Sequence, residues 1–271
     1  MNVDIVGYRP PALLSSFVEC FWEGNFNLNR SALFTQRVVP NGYVELVIHS
    51  RTSKCYLFKD GAWSASPDYT IIGMHTEPYI VRFDDLVQVF GIRFKPEGIY
   101  NIFGVPPSKF KATYENIGDV LGKDFGHFCE QVSDTAHISE KTDHAINYLH
   151  RRSEQNVACI SYVSRAAEII RSRNGSIQID ELSDMACISP RQLERGFAEI
   201  IGVSPKFYMR ITRLNAVQRA LEKQNLNLSL TGISHYFGFS DQAHFIREFK
   251  TFTGQPPRGF IKRRNEFIVN A

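Results

Sequence analysis

Residues 179 to 257 contain the same pattern of residues twice, and this internal repeat constrains the fold more than any other feature of the chain. In each copy the pattern predicts a short helix, a tight turn and a second amphipathic helix with an exposed polar face. Two such units in tandem are typical of helix-turn-helix motifs that bind DNA. Four positions of the first copy have a counterpart 52 residues later: Leu193, Arg195, Phe197 and Gly202 correspond to Phe245, Arg247, Phe249 and Gly254.

The first copy predicts a motif with well-defined helix ends. Asp180 is the expected N-cap of the first helix, and the turn falls at Cys187. Ser189 then caps the second helix, Pro190 occupies its first position, and Gln192 completes a capping box. Polar side chains near the start of this second helix are predicted to contact base edges, and they are Arg191, Glu194 and Arg195.

The second copy predicts the same arrangement, with Gly238 at the turn and Ser240 as the N-cap of the second helix. Gln242 suits adenine, and Arg247 suits guanine or a phosphate. His244 either contacts DNA or only covers the surface of the motif. The base contacts predicted for this copy are Gln242, Ala243, His244 and Arg247.

A helix that begins after Ser204 and Pro205 is predicted between the two copies, and it would set their spacing. Two recognition helices that contact one face of B-DNA must lie about 34 Å apart. Basic residues elsewhere are expected to bind phosphates, which position a protein but carry no sequence information. These residues are Lys206, Lys250, Arg258 and the run Lys262-Arg263-Arg264.

The charge of the chain is divided unevenly between its two halves. Residues 155–271 contain 16 Lys and Arg against 10 Asp and Glu, a net +6, whereas residues 1–154 contain 15 against 18, a net −3. A basic C-terminal half suits a polyanionic partner such as double-stranded DNA. At 271 residues, the chain is long enough for two domains. We expect these at residues 1–150 and 157–264, joined by a polar linker at Arg151–Asn156.

The N-terminal half has the alternating pattern of β-strands. Residues 43–49 and 87–94 alternate between apolar and polar side chains and are bounded by turn sequences. Short strands at this spacing predict a barrel or a sandwich. The expected fold class is therefore α+β, with a mainly-β domain followed by an all-α domain. A short helix is expected at residues 98–103, and a longer one at 138–152 has an apolar face that either packs on its own domain or forms a dimer contact.

The compartment is predicted from what the sequence lacks. The five cysteines are scattered and form no C-x-x-C pair, which argues against a disulfide framework and favours a reducing compartment. No apolar run approaches the roughly 20 residues that span a bilayer. The N-terminus has none of the regions of a signal peptide. We therefore expect a cytoplasmic protein without a membrane partner.

Residues 157–264 resemble the DNA-binding domain of the AraC/XylS family of transcription regulators. The similarity lies in the segments Ile188–Phe197, Gly238–Lys250 and Thr253–Pro257. The resemblance implies a sequence-specific activator or repressor that contacts RNA polymerase near a promoter, and it places the base contacts on the seven residues named above. One departure is Gly196 inside the first recognition helix, which costs roughly 1 kcal/mol relative to alanine.

The N-terminal segments Val39–Leu46 and Gly91–Gly98 resemble a cupin-like sensor domain found in some of these regulators. The resemblance implies a domain that binds a small-molecule effector, forms a homodimer, or does both. Glu45 and Arg93 lie on predicted strands, where they either line a pocket for a polar effector or point outward into water. The His-x-His spacing of metal-binding cupins is missing, and neither a metal nor another cofactor is expected. The side chains that could still be recruited to a metal are His49, His75 and Glu77.

The expected function is that of a regulator and not of an enzyme. The alternative is an enzyme whose catalytic N-terminal barrel is fused to the DNA-binding module. No G-x-S-x-G sequence, P-loop or dinucleotide-binding fingerprint supports it. Cys20 and Cys55 are isolated, unlike the cysteines of the alkyl-transfer domain that some relatives carry. A third possibility, an interaction protein that has lost DNA binding, is disfavoured by the three outward arginines of the motifs.

Overall fold

The N-terminal half folds as two β-sheets in a computed structural model, which describes residues 2–27, 34–50, 53, 55–83, 86–110, 121–155, 161–222, 229–263 and 267–268. The strands are Asn2–Tyr8 (β1), Val18–Asn27 (β2), Phe34–Val38 (β3), Val44–His49 (β4), Cys55–Lys59 (β5), Ala62–Ala65 (β6), Tyr69–Ile72 (β7), Tyr79–Phe83 (β8), Leu86–Phe94 (β9) and Phe267–Ile268 (β10). The first sheet has the order β1-β2-β9-β4-β7, and the second has the order β10-β3-β8-β5-β6. Neighbouring strands are antiparallel except β10, which lies parallel to β3.

The helices follow the sheets in the chain. They are Gly98–Phe103 (α1), Lys123–Asp134 (α2), Ile138–Gln155 (α3), Ser161–Ser172 (α4), Ile179–Ala186 (α5), Pro190–Ile200 (α6), Pro205–Glu222 (α7), Leu230–Tyr236 (α8), Gln242–Thr253 (α9) and Pro257–Lys262 (α10). Short 3₁₀ turns occur at Ala12–Leu14 and Pro107–Phe110. None of the helices in the described ranges combines the length and the hydropathy that crossing a membrane requires.

Strand β4 shows how the layers of the N-terminal half are built. Because successive side chains of a strand point to opposite faces, each face of the sheet has its own environment. Val44, Leu46 and Ile48 pack in one apolar core with residues of α1, α2 and α3. Glu45 and Val47 point the other way and line a cavity between the two sheets. The first sheet is therefore covered on both faces.

The expected fold class is confirmed, with a mainly-β N-terminal region of two sheets and a helical C-terminal region. Within the described strands, no pairing joins the two sheets into a closed barrel. The short helix expected at residues 98–103 is α1. The linker predicted at Arg151–Asn156 is wrong for Arg151–Gln155, because these residues continue α3 as regular helix, and Asn156 lies outside the described residues. The apolar face of α3 packs on its own domain.

The two halves of the chain contact each other through buried polar groups. Arg171 of α4 donates to both carboxylate oxygens of Glu97 at 2.9 and 3.1 Å, and it also donates to the hydroxyl of Tyr208 at 3.3 Å. Asn215 of α7 donates to the main-chain oxygen of Asn41 at 2.5 Å. Val39 lies in the same apolar core as the C-terminal helices. The helical region therefore packs directly on the loop that precedes β4.

Candidate nucleic-acid interface and ligand cavity

Helices α5 and α6 form the first helix-turn-helix motif. The turn is made by Cys187, which adopts the left-handed conformation with φ 58°. The hydroxyl of Ser189 accepts from the main-chain N–H of Gln192 at 3.3 Å, and the Gln192 side chain accepts from the N–H of Ser189 at 3.1 Å. The predicted capping box is thus confirmed. The predicted N-cap Asp180 is wrong, because α5 begins earlier and Gln178 occupies that position, which leaves Asp180 in the first turn.

Helix α6 separates its apolar and polar faces cleanly. Leu193, Phe197 and Ile200 are buried in the core of the helical region. The three predicted base-contacting side chains are exposed on the opposite face, and none of them forms an ion pair with another described residue. Their charges and hydrogen-bonding groups are therefore available to a partner. They are Arg191, Glu194 and Arg195.

Gly196 is explained by the close approach of α6 to α4. A Cβ atom at this position would lie 2.7 Å from Cγ2 of Val163 and 2.8 Å from the ring of Tyr162. Real Cβ contacts are essentially never that short. The glycine that departs from the family pattern thus allows the recognition helix to pack against α4, and this packing offsets its cost in helix propensity.

Helices α8 and α9 form the second motif. Gly238 makes the turn with φ 72°, as predicted. The predicted N-cap Ser240 is wrong, because the carboxylate of Asp241 accepts from the main-chain N–H of His244 at 2.7 Å and caps α9. That hydrogen bond lowers the pKa of Asp241. The Ser240 hydroxyl instead donates to Asp241 at 3.3 Å.

The outward side chains of α9 differ in their availability. Ala243 and Arg247 are exposed, and Arg247 has no ion-pair partner in the described part of the chain. The Gln242 side-chain oxygen accepts from the Thr231 hydroxyl at 2.6 Å, so a bidentate contact to adenine requires this bond to open. His244 lies against the ring of Phe239, and its ring nitrogens lie 3.0 Å from Ser240 and 3.8 Å from Glu248. Its surroundings favour the surface-covering alternative for His244.

Two arginines on α7 contact the second motif, and sequence reasoning assigned them no role. Arg213 donates to the main-chain oxygen of Gly175, between α4 and α5, at 3.0 Å, and to that of Gly238, in the turn of the second motif, at 3.3 Å. Arg210 forms a 2.5 Å ion pair with Glu248 of α9. The available signal was the spacing, since residues three apart on a helix share a face. Helix α7 is capped as expected, with Ser204 accepting from the N–H of Phe207 at 3.2 Å.

The residues predicted to bind phosphates lie mostly on the surface. Lys206, Lys250 and Arg258 are exposed, on α7, α9 and α10. Lys262 is also exposed, and Arg263 donates to the side chain of Gln255 at 3.2 Å. Arg264 lies outside the described residues.

A second candidate site is the cavity between the two sheets, which has a volume of about 100 Å³. Its walls are mainly apolar and aromatic. Glu45 and Arg93 both line it, and Arg93 Nε donates to Glu45 Oε1 at 3.0 Å. The Trp22 ring, which forms part of the cavity wall, packs directly over Gly91 of the paired strand. A Cβ atom at Gly91 would lie 1.9 Å from this ring, so a larger residue would displace it. The structure thus brings together the two residues predicted for an effector site.

The histidines singled out in the sequence fall on the same cavity. His49 and His75 line it, whereas Glu77 is exposed. Burial lowers the pKa of His75 to about 4, so its imidazole is neutral at pH 7. The described residues include no group of three or more His, Cys, Asp or Glu side chains placed to bind a metal ion.

The fold and the exposed helices define a protein with a tandem helix-turn-helix domain attached to a two-sheet domain. Residues 182–263 match a family described as a helix-turn-helix domain, and residues 7–116 match a domain of unknown function. The chain therefore carries a C-terminal helix-turn-helix domain of the AraC type, as the resemblance to the AraC/XylS family predicted.

Relatives of the C-terminal half are transcription regulators. The chain is 31% identical over 115 residues to the Msm operon regulatory protein of Streptococcus mutans, covering 42% of this chain and 41% of the relative. It is 30% identical over 90 residues to the XylDLEGF operon transcriptional activator 3 of Pseudomonas putida, covering 33% and 27%. The matches thus span less than half the length of these relatives. The crystal structure of ToxT from Vibrio cholerae has the same fold, with a TM-score of 0.50 and 10% identity over 89% of this chain and 97% of ToxT.

Proposed function

We propose that this chain is a sequence-specific transcription regulator that places α6 and α9 in two adjacent segments of the major groove. The observation that carries the proposal is that both helices are capped at their N-termini and present exposed polar side chains near those ends. Arg191, Arg195 and Arg247 are the side chains best suited to guanine, because a guanidinium group donates two parallel hydrogen bonds to its O6 and N7 atoms. Glu194 suits a cytosine amino group.

The geometry of α7 supports simultaneous contact by both motifs. Its 18 residues give a helix about 27 Å long, comparable with the 34 Å repeat of B-DNA. Arg213 connects the end of α4 with the turn of the second motif, so it restrains the orientation of one motif relative to the other. A single chain would then contact two half-sites separated by about one helical turn.

The remaining partners are part of the same proposal. Lys206, Lys250 and Arg258 bind phosphates, and a bound regulator contacts RNA polymerase to activate or repress transcription in the cytoplasm. The N-terminal domain binds a small-molecule effector in the cavity between its sheets, or forms a homodimer. We assign residues 1–150 to this role and residues 157–264 to DNA binding.

Two thiol groups of the N-terminal half argue against a cysteine-based form of the enzyme alternative. Burial raises the pKa of Cys20 to about 11 and also raises the pKa of Cys129. A nucleophilic cysteine requires a lowered pKa, because the thiolate is the reactive form. The relatives of the helix-turn-helix domain bear the names of regulators, which fits the same conclusion.

The test is selection of bound sequences from a random duplex pool at near-physiological salt. We expect a site with two short half-motifs about 10 base pairs apart. Arg195→Ala should change the preference in one half-motif, and Arg247→Ala in the other. Arg219→Ala, which removes an exposed charge from α7, serves as the matched control and should leave the selected site unchanged. If the full chain enriches no sequence even at low salt, the proposal is wrong.

A further inference from the structure

Among the described residues, Glu45 and Arg93 are the charged groups that line the cavity between the sheets. Apolar and aromatic side chains form most of its lining, including Trp22, Phe26 and Phe83. Glu45 and Arg93 lie together and neutralise each other. A ligand with a net charge would therefore be buried without a counterion in an apolar site, which is costly. The lining favours an uncharged ligand.

Glu45 offers an open acceptor to such a ligand. Arg93 Nε donates to it at 3.0 Å, and Asn41 Nδ2 donates at 2.6 Å, but both bonds end on the same oxygen, Oε1. Oε2 has no hydrogen-bond partner among the described residues. A carboxylate oxygen of this kind accepts from a hydroxyl group and forms a charge-assisted hydrogen bond.

Other polar atoms of the lining also lack partners. Trp22 Nε1, Thr70 Oγ1 and His75 Nε2 are buried, and within the described ranges each has no hydrogen-bond partner. Buried polar groups of folded proteins are nearly always paired with protein atoms or with water. A ligand hydroxyl that donates to Glu45 still has lone pairs with which to accept from one of these groups.

The cavity volume limits the size of the ligand. It is about 100 Å³, and an apolar cavity of roughly 150 Å³ is known to bind benzene. The buried part of the ligand is thus no larger than about one ring. The aromatic lining fits a ring, because offset and edge-to-face contacts between rings are favourable.

The charged end of the cavity is connected to the DNA-binding half by Asn41. Its side chain donates to Glu45, and its main-chain oxygen accepts from Asn215 of α7. The next residue, Gly42, lies against Ile211 and Tyr208 of the same helix. Helix α7 connects the two helix-turn-helix motifs, so a change at Glu45 reaches the element that sets their spacing.

We propose that the cavity binds an uncharged, largely apolar molecule about one ring in size, whose hydroxyl group donates to Glu45 Oε2, and that binding alters the contact of Asn41 with α7. The second half of this proposal rests on the proposed function, since its consequence is a change in DNA affinity. The first half is independent of DNA.

The ligand class is tested with three probes of nearly equal size, which are benzyl alcohol, benzoate and benzylamine. They are titrated at pH 7 into the full chain carrying Trp63→Phe, so that Trp22 in the cavity wall is the remaining tryptophan whose fluorescence reports binding. We expect benzyl alcohol to bind at least about tenfold more tightly than either ion. Equal binding of the three, or a preference for benzoate or benzylamine, would overturn the ligand class.

A second variant tests the location of the site. Val81→Phe places a ring in the cavity, and thermal unfolding shows whether the variant is folded. Weaker binding by at least tenfold is expected from the folded variant, and unchanged binding would show that the ligand lies elsewhere. If Val81→Phe does not fold, Val89→Ile is used in its place. It adds one methylene group at another lining position and should also weaken binding of benzyl alcohol.

The connection through Asn41 is tested with the selected DNA site. Saturating benzyl alcohol should change the DNA affinity of the full chain at least about fivefold, the lower end of ordinary coupling between sites. Asn215→Ala should bind the probe as before but lose this effect. If the probe binds and DNA affinity does not change, the connection is refuted. If no sequence is selected while the probe binds, the proposed function fails and the ligand site stands.

Discussion

Arg213 of α7 connects the segment that precedes the first helix-turn-helix motif with the turn of the second, and its replacement tests whether the relative orientation of the motifs determines DNA binding. The side chain donates to main-chain oxygens of Gly175 and Gly238, and its guanidinium lies 5.3 Å from the ring centre of Phe239. Methionine has a similar length and keeps the apolar contact, but it donates no hydrogen bond. Arg213→Met therefore removes the connection between the motifs without leaving a large cavity.

The expected loss of stability follows from these contacts. A hydrogen bond from a charged donor contributes about 1.5–3 kcal/mol. Arg213 is partly exposed, so water replaces part of what is lost, and we expect the free energy of unfolding to fall by about 2 kcal/mol in total. Urea unfolding of the full chain measures this change.

DNA binding tests the orientation of the motifs more directly than the change in stability does. The wild type should bind half-sites about 10 base pairs apart much more tightly than the same half-sites about 13 base pairs apart, because the motifs are held in one orientation. Arg213→Met should bind the first duplex more weakly and discriminate less between the two. The control is Arg219→Met, which removes an exposed charge from the same helix. If both variants keep the spacing preference of the wild type, Arg213 does not orient the motifs.

Four further predictions concern other parts of the molecule. Arg195→Ala should weaken specific binding by ~1–3 kcal/mol and relax the preference at one base pair, and unchanged discrimination among single-base variants of the site would contradict this. Gly196→Ala should destabilise the protein in urea unfolding despite the better helix propensity of alanine, because its Cβ would meet α4, so a more stable variant would refute the packing argument. The pKa of His75 is about 4 in the folded protein against about 6.5 when unfolded, so the wild type should lose up to about 3 kcal/mol of stability as the pH falls from 6.5 to 4. His75→Phe should lack this part of the pH dependence, and identical pH profiles would show that the imidazole is not buried in its neutral form. A fragment that begins at residue 157 should fold and bind DNA, with lower stability than the full chain because its helices lose the apolar contact of Val39, and an unfolded fragment would mean that the halves share one core.

The helix-turn-helix motifs could be predicted because their ends depend on local chemistry. The capping box joins Ser189 to Gln192, only three positions along the chain, and the second turn depends on Gly238 itself. Both predictions are confirmed. The errors at Asp180 and Ser240 show the limit of this local chemistry. At each of these sites more than one nearby residue can act as a cap, and the choice depends on where tertiary packing places the first turn.

The environment of Glu45 and Arg93 could not be decided from the sequence. Alternation along a strand shows that two side chains share a face, but it does not show what covers that face. The face that carries Val44 and Leu46 meets helices, and the face that carries Glu45 meets the second sheet. A polar residue on a strand covered on both sides must therefore be paired, and Arg93 is the partner.

The contacts between the halves of the chain have no local pattern, because they join residues 74 positions apart at Glu97 and Arg171 and 174 positions apart at Asn41 and Asn215. Such buried polar contacts add little net stability, since removing charged groups from water offsets most of their attraction. Their directional geometry does restrict the orientation of α7 on the N-terminal domain. An apolar interface of the same size would tolerate small displacements of α7, whereas each displacement here breaks a hydrogen bond at Asn41 or at Glu97. A ligand that acts on Glu45 therefore needs to change only one of these bonds to favour a different position of the helix between the two motifs.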